Sequence, residues 1–86
     1  MKIYRFRMDC GRMGSLDGVF TAEVERIEAV MGTEVYLGEV LGKHSEVFVT
    51  LSDENIVEVE CSPEFVEEFR KVVGGVGINP LDYIEE

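Results

Sequence analysis

The sequence contains no tryptophan, one histidine, two cysteines and two prolines in 86 residues. One histidine and two widely separated cysteines do not supply a zinc ligand set, so we predict no metal and no cofactor. No apolar run approaches the roughly 18 residues of a membrane span. The alternating N-terminus also lacks the apolar core of a signal peptide. These absences favour a soluble, cytoplasmic protein without a membrane partner.

Basic residues are scarce as well, because 8 Lys and Arg stand against 18 Asp and Glu, a net charge of −10. Residues 1–12 hold four basic residues and one acid, a net +3, so residues 13–86 must carry −13. Phosphate backbones require clustered Lys and Arg, which argues against direct nucleic-acid binding. An acidic field instead attracts basic protein surfaces and speeds their association. Acidity that serves solubility alone is the alternative.

The hydropathy pattern predicts one α+β domain over residues 1–86. Its order is ββαβββα, an antiparallel four- or five-stranded sheet with two helices packed on one face. Residues 9–17 are predicted to be a loop, and residues 75–86 a C-terminal tail that packs back on the core. The predicted strands cover residues 2–8, 18–21, 33–41, 46–51 and 55–61, and the predicted helices cover residues 22–31 and 63–73.

Local signals mark the helix starts and one irregular strand. Ser62 followed by Pro63 is typical of a helix N-terminus, with a capping hydroxyl and a proline in the first turn. Thr21 is the predicted cap of the first helix. The alternation of the third strand slips at Gly38, which predicts a β-bulge or burial of both strand faces.

Side-chain alternation predicts which strand faces are buried. In the fifth strand it turns Val57, Val59 and Cys61 inward, and it sets Glu58 and Glu60 beside Arg5 and Arg7 in a charge ladder on the outer face. Burying these apolar side chains is the main source of stability that the pattern offers. The expected core comprises Tyr4, Phe6, Val24, Ile27, Val49, Val57, Val59, Phe65, Phe69 and Val72.

The cysteines are predicted to be free thiols, since the strand directions place Cys10 and Cys61 at opposite ends of the sheet. Cys61 and His44 fall at the same end, and Cys61 precedes a helix N-terminus, which can lower a thiol pKa. No third group or oxyanion site accompanies this pair. Packing of Cys61 in the core is therefore the favoured interpretation, and no catalytic residue is assigned.

Two functions remain. The first is a small acidic interaction module, an inhibitor or nucleic-acid mimic of the kind that phages and mobile elements encode, which binds a basic protein surface. Its predicted surface comprises Glu28, Asp53, Glu54, Glu64, Glu67 and Glu68. The alternative is a small anion- or nucleotide-binding protein that uses residues 42–45, with Lys43, His44 and Ser45, beside the helix N-termini. Homo-oligomerisation is left open.

Overall fold

A computed structural model describes residues 1–42 and 46–84 of the chain. It is an α+β structure with a four-stranded antiparallel sheet, a two-stranded sheet and two helices. Short 3₁₀ turns follow the first strand and the last. The elements are β1 (Lys2–Asp9), β2 (Ser15–Ala22), α1 (Val24–Val30), β3 (Glu34–Gly38), β4 (Val47–Thr50), β5 (Ile56–Val59), α2 (Pro63–Val72) and β6 (Gly75–Gly77).

The larger sheet has the order β5-β1-β2-β6, whereas β3 and β4 pair only with each other. The predicted meander of β3, β4 and β5 in one sheet is therefore wrong. The cause lies in the turn after β4, where the carbonyl of Ser52 accepts hydrogen bonds from the N–H groups of Asn55 and Ile56 at 3.0 Å. This turn directs β5 away from β4 and onto the free side of β1.

Strand β2 begins earlier than predicted, because the 9–17 loop closes within a few residues. The Cys10 N–H donates to the Gly14 carbonyl at 2.8 Å, and Gly14 adopts a φ of 110°. The pattern did not predict β6. Its Gly77 faces Gly18 in register, and a Cβ atom at Gly18 would overlap the backbone of Ile78. Glycine at this position therefore permits the close approach of the last strand.

The helix signals were partly correct. The Ser62 hydroxyl accepts a hydrogen bond from the Phe65 N–H at 3.2 Å, as predicted for a cap. Thr21 is not a cap because it belongs to β2, and α1 starts after Glu23 with no side-chain cap. The predicted bulge at Gly38 is confirmed by a register shift between Tyr36 and Gly38 in the β3–β4 pair.

The main core lies between one face of the large sheet, α1 and the small sheet. Tyr4, Phe6, Ile27 and Val49 are buried as predicted. The core cluster comprises Tyr4, Phe6, Leu16, Phe20, Ala22, Ile27, Val30, Val35, Leu37, Val47, Val49, Leu51 and Ile56.

The prediction for β5 was wrong, because Ile56 faces the core and Val57 and Val59 are exposed. Register explains this result. Phe6 pairs with Ile56 and Arg5 pairs with Val57, and residues directly opposite each other share a face. The register with β1 therefore determines the face of the sheet on which each β5 side chain lies.

Helix α2 also differs from its prediction. Phe65 and Val72 are exposed, and Phe69 and Val24 are only partly buried. Within the described residues, α2 contributes no side chain to the core cluster or to the apolar groups packed against it.

Ile3 is buried on the second face of the large sheet, which is the face opposite the main core. Ile3 points away from Tyr4 and Phe6, since neighbours alternate along a strand. Ile3 and Val66 are both buried outside the main core, and α2 contacts β1. This burial indicates that α2 covers the Ile3 end of the second face, opposite α1, instead of sharing one face with it.

We expect Phe6→Ala to lower the free energy of unfolding by about 3–5 kcal/mol, because its ring is fully enclosed. Phe65→Ala should cost no more than about 0.5 kcal/mol, the usual range for an exposed side chain. Urea denaturation followed by circular dichroism measures both. Equal losses for the two variants would show that α2 buries Phe65 in solution.

Candidate interaction surfaces

Helix α2 exposes an apolar stripe along its length. The side chains of Phe65 and Val72 are 54% and 75% exposed, and the rings of Phe65 and Phe69 lie 6.5 Å apart. These residues follow helical spacing, so they share one side of the helix. Only Val66 of this helix is buried. An amphipathic helix that leaves most of its apolar side exposed is typical of an interaction surface.

Carboxylates flank this stripe. Glu64, Glu67 and Glu68 line a shallow groove of about 340 Å³ together with Lys71 and Val72. We call these five residues and Phe65 the α2 surface.

Glu67 differs from its two neighbours. Its carboxylate accepts a hydrogen bond from the Arg70 guanidinium at 2.7 Å and lies 3.7 Å from the Lys71 ammonium. The hydrogen bond from Arg70 holds the pKa of Glu67 below its ordinary value. Two neighbouring cations therefore compensate the charge of Glu67, one of the six acids of the predicted surface. Within the described part of the chain, Glu64 and Glu68 have no ion pair.

The other predicted acids are exposed but lie elsewhere. Glu28 belongs to α1, where its charge, after burial and Glu58, raises the pKa of the Tyr4 hydroxyl. Asp53 and Glu54 occupy the turn before β5, whereas α2 follows the opposite end of that strand. The six predicted acids therefore do not form one surface, and α2 holds three of them.

A second groove, of about 360 Å³, lies on the second face of the large sheet. It is lined by Arg5, Arg7, Glu54, Asn55, Val57 and Val59, and we call it the arginine groove. Within residues 1–42 and 46–84, neither guanidinium takes part in an ion pair.

The predicted charge ladder between Arg5, Arg7 and the β5 acids is absent. Arg5 faces Val57 in register, while Glu58 faces Tyr4 on the other side of the sheet. The Glu58 carboxylate lies 3.6 Å from the Lys2 ammonium instead. Because the β5 side chains occupy the faces opposite to those predicted, the two arginines lie beside valines instead of acids.

The alternative ligand site cannot be described, because Lys43, His44 and Ser45 lie outside the described residues. Neither helix N-terminus adds an anion site. Helix α1 has only seven residues, and in the first turn of α2 the Phe65 N–H already donates to the Ser62 hydroxyl.

Cys61 is exposed, so its predicted packing in the core is wrong, and its thiol donates to the Val59 carbonyl at 3.4 Å. Its proposed pairing with His44 falls outside the described residues. Cys10 and Cys61 are both free thiols, as predicted.

An exposed aromatic pair on the small sheet was missed by the sequence analysis. The rings of Tyr36 and Phe48 lie 4.9 Å apart, and the two residues face each other in the β3–β4 register. The Tyr36 hydroxyl donates to the Glu46 carboxylate at 3.2 Å. Burial, followed by the Glu46 charge, raises the pKa of this hydroxyl. The alternation of residues 46–51 places Phe48 on the other face of the strand from the buried valines, and this pattern could have predicted its exposure.

The described residues contain no group of three or more His, Cys, Asp or Glu side chains placed to hold a metal ion. Over the same residues, no helix has the length and apolar character required to cross a membrane.

Comparison with known protein families, with curated proteins and with solved structures gave no match to this chain.

The placement of Cys61 is testable by thiol chemistry. We expect the Cys61 thiol to react with a water-soluble aromatic disulfide reagent faster than the partly buried Cys10 thiol. Cys61→Ser should remove the fast phase, and Cys10→Ser should remove the slow one. A single slow phase that survives Cys10→Ser would indicate a buried Cys61.

Proposed function

We propose that this protein is a small acidic interaction module that binds a basic surface on another protein. The observation that carries the proposal is the α2 surface, where the exposed side chains of Phe65 and Val72 lie beside the carboxylates of Glu64 and Glu68, which have no ion pair among the described residues. Exposed apolar groups supply the contact area, and the carboxylates select the charge of the partner.

The different roles of the apolar side chains and the carboxylates follow from the energetics of protein interfaces in general. Apolar and aromatic side chains near the centre of an interface supply most of the binding energy. Charges at its rim mainly steer the encounter and reject partners of the same sign. The net charge of −10 adds an attraction for basic surfaces that come within about a Debye length of the chain. A nucleic-acid-binding surface is one such partner, and occupying it would make the module an inhibitor.

The competing proposal, an anion site at Lys43, His44 and Ser45, draws no support from the helix ends. Glu23 precedes α1 and Glu64 lies in the first turn of α2, so carboxylates already occupy both positive helix ends. Mutation still separates the two proposals.

The experiment measures how charge reversals in this chain change its binding to a basic partner. The partner is isolated by affinity capture from the native host, eluted with graded salt and then purified. Glu64→Lys with Glu68→Lys should slow association about tenfold and flatten its salt dependence, because both charges lie on the α2 surface. Stopped-flow or surface plasmon resonance measures the rates.

The matched control reverses Glu34 and Glu39, two exposed acids on or beside β3. This control changes the net charge equally but leaves α2 intact, so its effect on association should be much smaller. Phe65→Ser should instead speed dissociation. If the two double reversals slowed association equally, net charge alone would account for binding and the α2 surface would have no specific role. Loss of binding in Lys43→Ala or His44→Ala alone would support the anion-site alternative.

A further inference from the structure

Strand β5 forms an edge of the large sheet. Within the described residues it pairs with β1 on one side and has no strand on the other. The Arg7 N–H donates to the Asn55 carbonyl at 2.8 Å, which marks Arg7 and Asn55 as a hydrogen-bonded pair. Such pairs recur every second residue in an antiparallel ladder, so the next is Arg5 with Val57. The N–H and carbonyl of Glu58 consequently point outward from the sheet.

Edge strands are usually protected by prolines, bulges, charges or a covering element. Strand β5 contains no proline, its pairing with β1 is regular, and Val57 is 54% exposed. One charge, Glu58, protects it. This edge therefore presents the main-chain groups of Glu58, which pair with no strand among the described residues, beside the exposed side chain of Val57.

The arginine groove adjoins this edge. Arg5 and Arg7 belong to β1, one strand inward from β5, and Val57 and Val59 form the apolar strip between them and the edge. Two guanidiniums, which form no ion pair within residues 1–42 and 46–84, and one carboxylate, Glu54, line the groove. Its local charge is opposite to that of the chain as a whole. Guanidinium groups bind carboxylates in charge-assisted, often bidentate, hydrogen bonds.

We propose that β5 accepts an extended protein segment of alternating apolar and acidic residues, which adds to the sheet as a further strand. The main chain of the segment pairs with the outward groups of Glu58. Its acidic side chains fall on the second face and reach across Val57 to Arg5 and Arg7. Strand neighbours lie about 4.8 Å apart, so a glutamate on the added strand and an arginine two strands away can meet.

The charges favour a partner segment over a second copy of the chain. Two copies joined through β5 in antiparallel pairing would set Val57 and Val59 against their own counterparts on the second face. That arrangement supplies no carboxylate to Arg5 or Arg7. It would also bring together two chains that each carry a net charge of −10.

The surface is separate from the α2 surface, so its test does not depend on the proposed function. The probe is a short, fluorescently labelled peptide of alternating valine and glutamate with blocked ends, and its binding to the full chain is followed by fluorescence anisotropy. Two control peptides carry lysine in place of glutamate, or a central proline that prevents strand pairing.

Four variants locate the site. Glu58→Pro removes the outward N–H but spares the hydrogen bonds to β1, and Glu58→Ala is its matched control because both lose the carboxylate. Glu58→Pro should weaken binding at least about tenfold relative to Glu58→Ala. Arg5→Gln with Arg7→Gln should weaken it about tenfold as well, and circular dichroism verifies the fold of each variant. Glu64→Lys with Glu68→Lys should leave peptide binding unchanged.

Several outcomes would overturn the proposal. These are the absence of peptide binding, equal binding of the lysine peptide, or binding that survives both Glu58→Pro and the arginine variant. Analytical ultracentrifugation tests whether a second copy of the chain occupies the β5 edge instead. Dimers that dissociate in Glu58→Pro and are not displaced by the peptide would assign the edge to a second copy. If Glu58→Pro does not fold, the arginine variant and the lysine peptide decide the question alone.

Discussion

Hydrogen bonding on both sides of β1 is the constraint on which the rest of the structure depends. All eight residues of β1 are in register with β2, and four of them also pair with β5. A shift of either neighbour by one residue would turn its side chains to the other face. The alternation of Tyr4 and Phe6 with Arg5 and Arg7 therefore decides which face of the whole sheet becomes the core.

The size of the chain explains why the second face stays partly open. A domain of this length buries a smaller fraction of its surface than a large one, and it has few elements with which to cover a sheet. Helix α1 and the small sheet enclose the face that carries Phe6 and Phe20. Helix α2 has only ten residues, about 15 Å of helix, and covers the end near Ile3. The remainder of that face exposes Val57 and Val76.

Local sequence signals predicted the features that depend on neighbouring residues. The Ser62 cap, the position of β1 and the bulge at Gly38 all follow from residues a few positions apart, and the structure confirms them. The predicted Thr21 cap failed because pairing with β1 extends β2 through Ala22.

Local sequence signals could not predict which face of the sheet each β5 side chain occupies. Its sequence offers Ile56 on one side and Val57 with Val59 on the other, so a count of apolar residues selects the wrong side. The choice depends on pairing with β1, some fifty residues away in the chain. The same error placed Arg5 and Arg7 against acids and so hid the arginine groove. The exposure of Phe65 was missed separately, because an apolar stripe at helical spacing is usually buried.

The distribution of charge connects the two surfaces. At physiological salt the Debye length is about 8 Å, so the net charge of −10 is felt only by partners already close to the chain. At that range local charge governs the encounter. The α2 surface carries Glu64 and Glu68, whereas the arginine groove on the large sheet carries Arg5 and Arg7. Under the two proposals, an approaching protein is therefore sorted by the sign of its own surface. Phe65 would supply contact area to a basic partner and the exposed valines to an acidic segment, and neither apolar patch would distinguish partners by charge.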